Sequence, residues 1–112
     1  MSAVSQTLAA ARAAEAAARG VPGVLDLSGG TVGEFATYGD GQRVAGVRVR
    51  TGAQPSVALK LVVAFGQHLP ELTETVRARV QEAVAAPLGS GDVPVDLDIV
   101  DVRVQEVSAW PS

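Results

Sequence analysis

Cysteine is absent from the 112 residues, which excludes a disulfide framework, a thiol nucleophile and thiolate metal sites. There is one histidine, too few for a zinc site built from this chain alone. Aromatic residues make up 4% of the sequence, so platforms for stacking unpaired bases are scarce. Net charge is −3 and the isoelectric point about 5.0, so no general field draws the chain toward nucleic acid or anionic lipid. No apolar run approaches the ~20 residues that span a bilayer. The alanine-rich start is interrupted by Arg12, Glu15 and Arg19 and has no basic segment ahead of an apolar core, unlike a secretory signal. Met1 is followed by Ser2 where myristoylation requires glycine. What is present is 47% hydrophobic and 19% charged, the composition of one folded domain over residues 1–112, expected to be cytoplasmic.

The N-terminal segment Ser5 to Arg19 predicts a helix, with Ser5 as N-cap and Gly20 and Pro22 as the stop. Its apolar face is thin: Val4, Leu8, Ala11, Ala14 and Ala18. Such a helix needs a neighbour, either its own sheet or another subunit. Strands are expected at Val24 to Ser28 and Thr31 to Tyr38, the second followed by Asp40-Gly41, a type I′ hairpin signal. A third runs from Gln42 to Arg50, with Ala45, Val47 and Val49 on one face and Val44, Arg48 and Arg50 on the other. After a polar loop, Val57 to Phe65 reads as the most hydrophobic, central strand, with Val57, Leu59, Leu61, Val63 and Phe65 on one face and Ala58, Lys60, Val62 and Ala64 on the other. Leu69 to Ala86 reads as a second helix with Pro70 in its first turn and an apolar stripe of Leu69, Leu72, Val76, Val80, Ala83 and Val84. The loop 87–92 leads to a last strand, Val93 to Val107, whose apolar phase slips near Ile99-Val100, the mark of a β-bulge. The tail from Ser108, with Trp110 and Pro111, reads as an exposed end.

The strand–helix–strand span from Val57 to Val107 has the length of a crossover, so its strands should run parallel while the earlier ones form antiparallel pairs. The expected fold is α+β, two-layered, a mixed and mostly antiparallel sheet with helices on one face, in the order α-β-β-β-β-α-β.

Motifs that could carry chemistry are few. Gly20-Val21-Pro22-Gly23 matches the Gly-x-x-Gly of KH domains, but it holds no basic residue and precedes a strand, so it reads as a helix stop and turn. Gly29-Gly30-Thr31-Val32-Gly33 lacks the strand–turn–helix setting and the Lys-Ser/Thr of a phosphate loop and reads as a hairpin turn. Asp96, Asp98 and Asp101, with Asp92 just before them, form an acidic row, and the bulge should return Asp101 to the face of the other two. A row along a strand does not converge on a cation, so it reads as a solvated face. His68, near Glu71, could act as a base only with a nucleophile or second acid such as Asp101, and it reads as a capping or surface residue. Arg48, Arg50 and Lys60 can form a small basic contact patch across neighbouring strands, suited to acidic neighbours or a protein partner. No catalytic, cofactor or metal residue is assigned.

The order of features resembles the alkaline-shock-protein family of envelope-stress-response proteins. The matching residues are Ala14 to Ala18 leading into Val21-Pro22-Gly23-Val24, the glycine-rich hairpins, and Val57-Ala58-Leu59-Lys60-Leu61-Val62-Val63. Gly66, Leu69-Pro70-Glu71-Leu72, Val76 to Val84 and Val95-Asp96-Leu97-Asp98-Ile99-Val100-Asp101-Val102 complete the match, over about nine-tenths of the chain. The resemblance implies a non-enzymatic bacterial protein that self-associates to a homo-oligomer, is held at the membrane by a small anchor protein and serves cell-envelope homeostasis. It transfers no catalytic residue and no cofactor. On this reading the face of the first helix at Leu8 and Ala11, or the sheet edge, carries self-association. The alternative is a small KH-like nucleic-acid-binding domain, whose affinity would fall steeply with salt and which the negative net charge disfavours.

Overall fold

The computed structural model describes residues 3–30 and 34–104. Its elements are α1 (Ala3–Arg19), β1 (Val24–Leu27), β2 (Ala36–Gly39), β3 (Gln42–Ala45), β4 (Val47–Arg50), β5 (Ser56–Ala64), α2 (Leu69–Leu88) and β6 (Val95–Arg103). The expected order stands, with the third expected strand divided into β3 and β4 at Gly46.

α2 buries Leu72, Val76, Val80, Val84 and Leu88, a ridge at intervals of four residues that suits ridge-into-groove packing. α1 meets it with Leu8, Ala10, Ala11, Ala14 and Ala18, all buried, and also packs on β1 to β4. Alanines opposite branched side chains let the two helices approach closely. Each valine of α2 contributes roughly 1.5–3 kcal/mol on full burial, far more than an alanine does, so α2 anchors the layer and α1 closes it. This corrects the expectation that Leu8 and Ala11 offer a self-association face. Leu8 is 8% and Ala11 0% exposed, because the neighbour that the thin apolar stripe requires is the chain's own second helix.

β5 is the central strand. It pairs in parallel with β6 along one edge, while antiparallel β4 and β1 share its other edge end to end, β4 beside Ser56 to Leu59 and β1 beside Leu61 to Val63. The bulge falls where the phase slip placed it: Leu61 pairs with Ile99 but Val62 with Asp101, leaving Val100 as the extra residue. β2 and β3 form a separate hairpin whose turn residues Asp40 and Gly41 have φ of 49° and 71°, both positive as a type I′ turn demands. Thr37 ties this hairpin to the sheet, its hydroxyl donating to the Val47 carbonyl at 2.7 Å and accepting from the Val49 amide at 3.2 Å. Arg12 of α1 donates to the side-chain oxygen of Gln42.

Several local expectations change. α1 begins at Ala3, so Ser5 lies within its first turn and not at the N-cap position. α2 runs through Pro87 to Leu88, because Leu88 is buried and Gly89 at φ 66° closes the helix, with the Ser90 amide donating to the Ala85 carbonyl. Phe65, expected on one face with Val57, Leu59, Leu61 and Val63, and Leu69, expected in the core stripe of the second helix, are 71% and 36% exposed, since β5 ends at Ala64 and Gly66 turns the chain away at φ 94°. Val44, expected on one face with Arg48 and Arg50, is buried while they are exposed, because the bend at Gly46 resets the alternation. β6 begins at Val95 and ends at Arg103; positions 31–33 of the expected second strand, 105–107 of the expected last strand and the tail 108–112 lie outside the described residues.

The division at Gly46 has a steric cause. Its φ is +81°, and a Cβ there would stand 2.5 Å from the Leu27 Cβ and 2.9 Å from the Ser28 nitrogen. The end of β1 and the start of β4 meet at this point. Lys60 of β5 joins them, its amide donating to the Gly46 carbonyl at 3.0 Å and its carbonyl accepting from the Ser28 amide at 2.9 Å. Only glycine tolerates both the conformation and the approach. Gly46→Ala is expected to lower unfolding stability by about 3 kcal/mol, from backbone strain plus the clash; Gly41→Ala, where no atom lies within 4 Å, should lose clearly less, as read by urea denaturation.

Candidate functional site

The two faces of the sheet differ. Toward the helices β5 presents Val57, Leu59, Leu61 and Val63, all buried. On the opposite face, which neither described helix covers, the alternation of β5 places Ser56, Ala58, Lys60 and Val62. Register then sets Arg48 beside Ala58 and Arg50 beside Ser56 on β4. On β6 it sets Asp96 beside Ala58, Asp98 beside Lys60 and Asp101 beside Val62. Neighbouring strands lie about 4.8 Å apart, so a basic row and an acidic row run on either side of β5 at about 10 Å from each other.

Phe35 lies on this face. The Phe35 amide donates to the Gly29 carbonyl at 2.8 Å and the Phe35 carbonyl accepts from the Gly46 amide at 2.9 Å. The half-buried ring is flanked by the Arg48 guanidinium at 4.7 Å and the Lys60 ammonium at 4.6 Å from its centroid, a double cation–π contact. Arg48 also donates to the Glu34 carbonyl at 3.1 Å. The structure thus brings Arg48 and Lys60 of the expected basic patch together. Arg50 lies further along β4, in a cleft shared with Pro55, Ser90 and Asp92. Sequence reasoning missed Phe35, whose only signal was a lone aromatic in a glycine-rich, polar stretch.

The acidic row is solvated. Asp92, Asp96, Asp98 and Asp101 are exposed, and the bulge does return Asp101 to the face of Asp96 and Asp98, where it pairs with Arg103 at 3.1 Å. Among the described residues no three His, Asp or Glu side chains gather as a metal site. His68 occupies the N-cap position of α2 without capping it through its side chain; its Nδ1 lies 3.5 Å from a Glu71 oxygen, with both side chains at least three-quarters exposed. The Gly20–Gly23 turn joins α1 to β1 and lends the sheet its Gly23 carbonyl, which accepts from the Ala64 amide at 2.9 Å. It does not join two helices as a KH loop does. The glycine-rich run 29–33 is described only at Gly29 and Gly30.

At the sheet margin Asp26 accepts from the Leu27 amide at 2.8 Å and from Arg19 at 3.0 Å. The Leu27 amide, and secondarily Arg19, hold its carboxyl below the ordinary value of 3.8 against the opposing effect of burial.

The model of the alkaline shock protein 23 family, described by cell envelope-related function, matches residues 6–108. Among solved structures, the MamM CTD in its copper form is similar at 16% identity over 96% of this chain and 96% of that one, with a TM-score of 0.51. A doubly substituted MamM CTD is similar at 17% identity over 90% of this chain and 85% of that one, with a TM-score of 0.49. The likeness to the copper form is one of fold.

Two outcomes follow from this geometry. A carboxyl whose folded value is depressed stabilises the fold above its unfolded value and loses that contribution as pH falls through the folded value. The stability advantage of the native chain over Asp26→Asn should therefore be constant near neutrality and shrink as pH falls below about 5 toward and past 3.8, read by denaturation at stepped pH. Phe35→Leu keeps most of the apolar contact and loses the ring face, and is expected to lower stability by about 1 kcal/mol, with Phe35→Ala lowering it further in the same assay.

Proposed function

Because the chain belongs to the alkaline shock protein 23 family, a family of cell envelope-related function, we propose that it is a non-enzymatic structural adaptor of the envelope stress response. In this reading it self-associates and is recruited to the membrane by a small anchor protein. The observation that supports an adaptor is the sheet face that neither described helix covers, where Arg48 and Lys60 flank Phe35 and the exposed Asp96 and Asp98 lie across β5 from Arg48. Separated rows of opposite charge steer and register a macromolecular partner, whereas catalysis calls for groups converging within hydrogen-bond reach of one reacting atom. No described helix is long and apolar enough to cross a membrane, and a partner is the proposed link to it.

A KH-like reading gains an aromatic between two cations, but the acidic row about 10 Å away offsets the field that a polyanion would seek. Affinity capture of the tagged chain from gently solubilised cells, followed by mass spectrometry, should return a small membrane protein in stoichiometric amount. Recovery dominated by nuclease-sensitive RNA-binding proteins would overturn the adaptor in favour of nucleic-acid binding.

A further inference from the structure

Between the levels of Ser56 and Lys60 the sheet face that neither described helix covers carries opposite signs on β4 and β6, while further along β5 the cleft beside Lys60 mixes Glu34, Asp101 and Arg103. Arg48 and Arg50 stand on β4, Asp96 and Asp98 on β6, and β5 lies between them with the small side chain of Ala58 at its middle. Lys60 belongs to β5 by backbone, but its ammonium leans over Phe35 toward the side of Arg48, so it joins the basic half. Asp101 is already paired with Arg103 in its own chain. Arg50, Asp96 and Asp98 are exposed and form no ion pair with another described residue.

A face so divided is complementary to itself under one symmetry operation. Consider two copies with these faces opposed. A two-fold axis lying across the strands sets β4 against β4 and β6 against β6, opposing like charges. A two-fold axis parallel to β5 sets β4 of each copy against β6 of the other. Arg48 then faces Asp96 and Lys60 faces Asp98, each contact made twice, as an isologous interface requires. Face-to-face sheets pack about 10 Å apart, a gap that an arginine and an aspartate side chain can bridge. A partner of one sign would satisfy one row and oppose the other.

Resting on the self-association in the reading above, we propose that this face is the contact with a second copy of the chain, formed about a two-fold axis parallel to β5 with Arg48 opposite Asp96.

The symmetry supplies its own test. Arg48→Glu opposes two carboxylates at each of the two contacts, and Asp96→Arg opposes two guanidinium groups. Each variant alone should associate at least tenfold more weakly than the native chain, by analytical ultracentrifugation from about 1 to 100 μM. Mixed in equal amounts, they should recover near-native affinity, because in the mixed pair both contacts join opposite charges. Native association should also weaken as salt rises. A native chain that stays monomeric throughout would overturn both this interface and the self-association reading. Variants that self-associate like the native chain, or whose mixture recovers nothing while circular dichroism shows both folded, would overturn this interface and leave self-association to another surface.

Discussion

The fold depends on one crowded junction. Two strands share a single edge of β5, and they meet where Gly46 passes the end of β1 with no space for a Cβ. Lys60 bonds to both through its own backbone, to Gly46 on one side and Ser28 on the other. Without that close approach β3 and β4 could continue as one strand, and β1 would have no edge on which to dock. The bend also sends β2 and β3 off as a hairpin, returns Val44 to the core and fixes the Phe35 carbonyl against the Gly46 amide. Phe35 therefore reaches the uncovered face as a consequence of the same glycine.

The helices complete the fold by asymmetry. α2 brings a full ridge of branched residues, and α1 brings alanines that let it approach that ridge and the sheet together. Because α1 satisfies its thin stripe internally, the open surfaces among the described residues include two that the helices do not cover. One is the charged face of the sheet. The other is an apolar corner where Phe65, Leu69 and Val102 line a cleft beside Gly66 and Gln67. The chain belongs to a family described by envelope function, and on the sheet face opposite the helices Arg48 and Arg50 of β4 are separated by β5 from Asp96 and Asp98 of β6.

Much of this was legible from residue order. The β5 alternation, the α2 stripe and the Asp40-Gly41 turn are local patterns in which each residue's environment is set by neighbours a few positions away. The bulge at Val100 was readable for the same reason, since one inserted residue shifts a period-two pattern by a single step. The acidic row and Arg48 with Lys60 were visible as residue types on strands. Their arrangement into two opposed rows was not, because register between strands depends on which edges of β5 are taken.

The sequence by itself determined the element order, the family, and most of the residues that would face a core, because periodicity and turn chemistry act over short distances. Tertiary structure alone decided that Leu8 and Ala11 would be enclosed, that Phe65 would be exposed, that Gly46 would split a strand, and that Phe35 would lie between Arg48 and Lys60. Each of these turns on how closely two segments distant in sequence can approach, a quantity fixed by the absence of a side chain at a contact as much as by the presence of one.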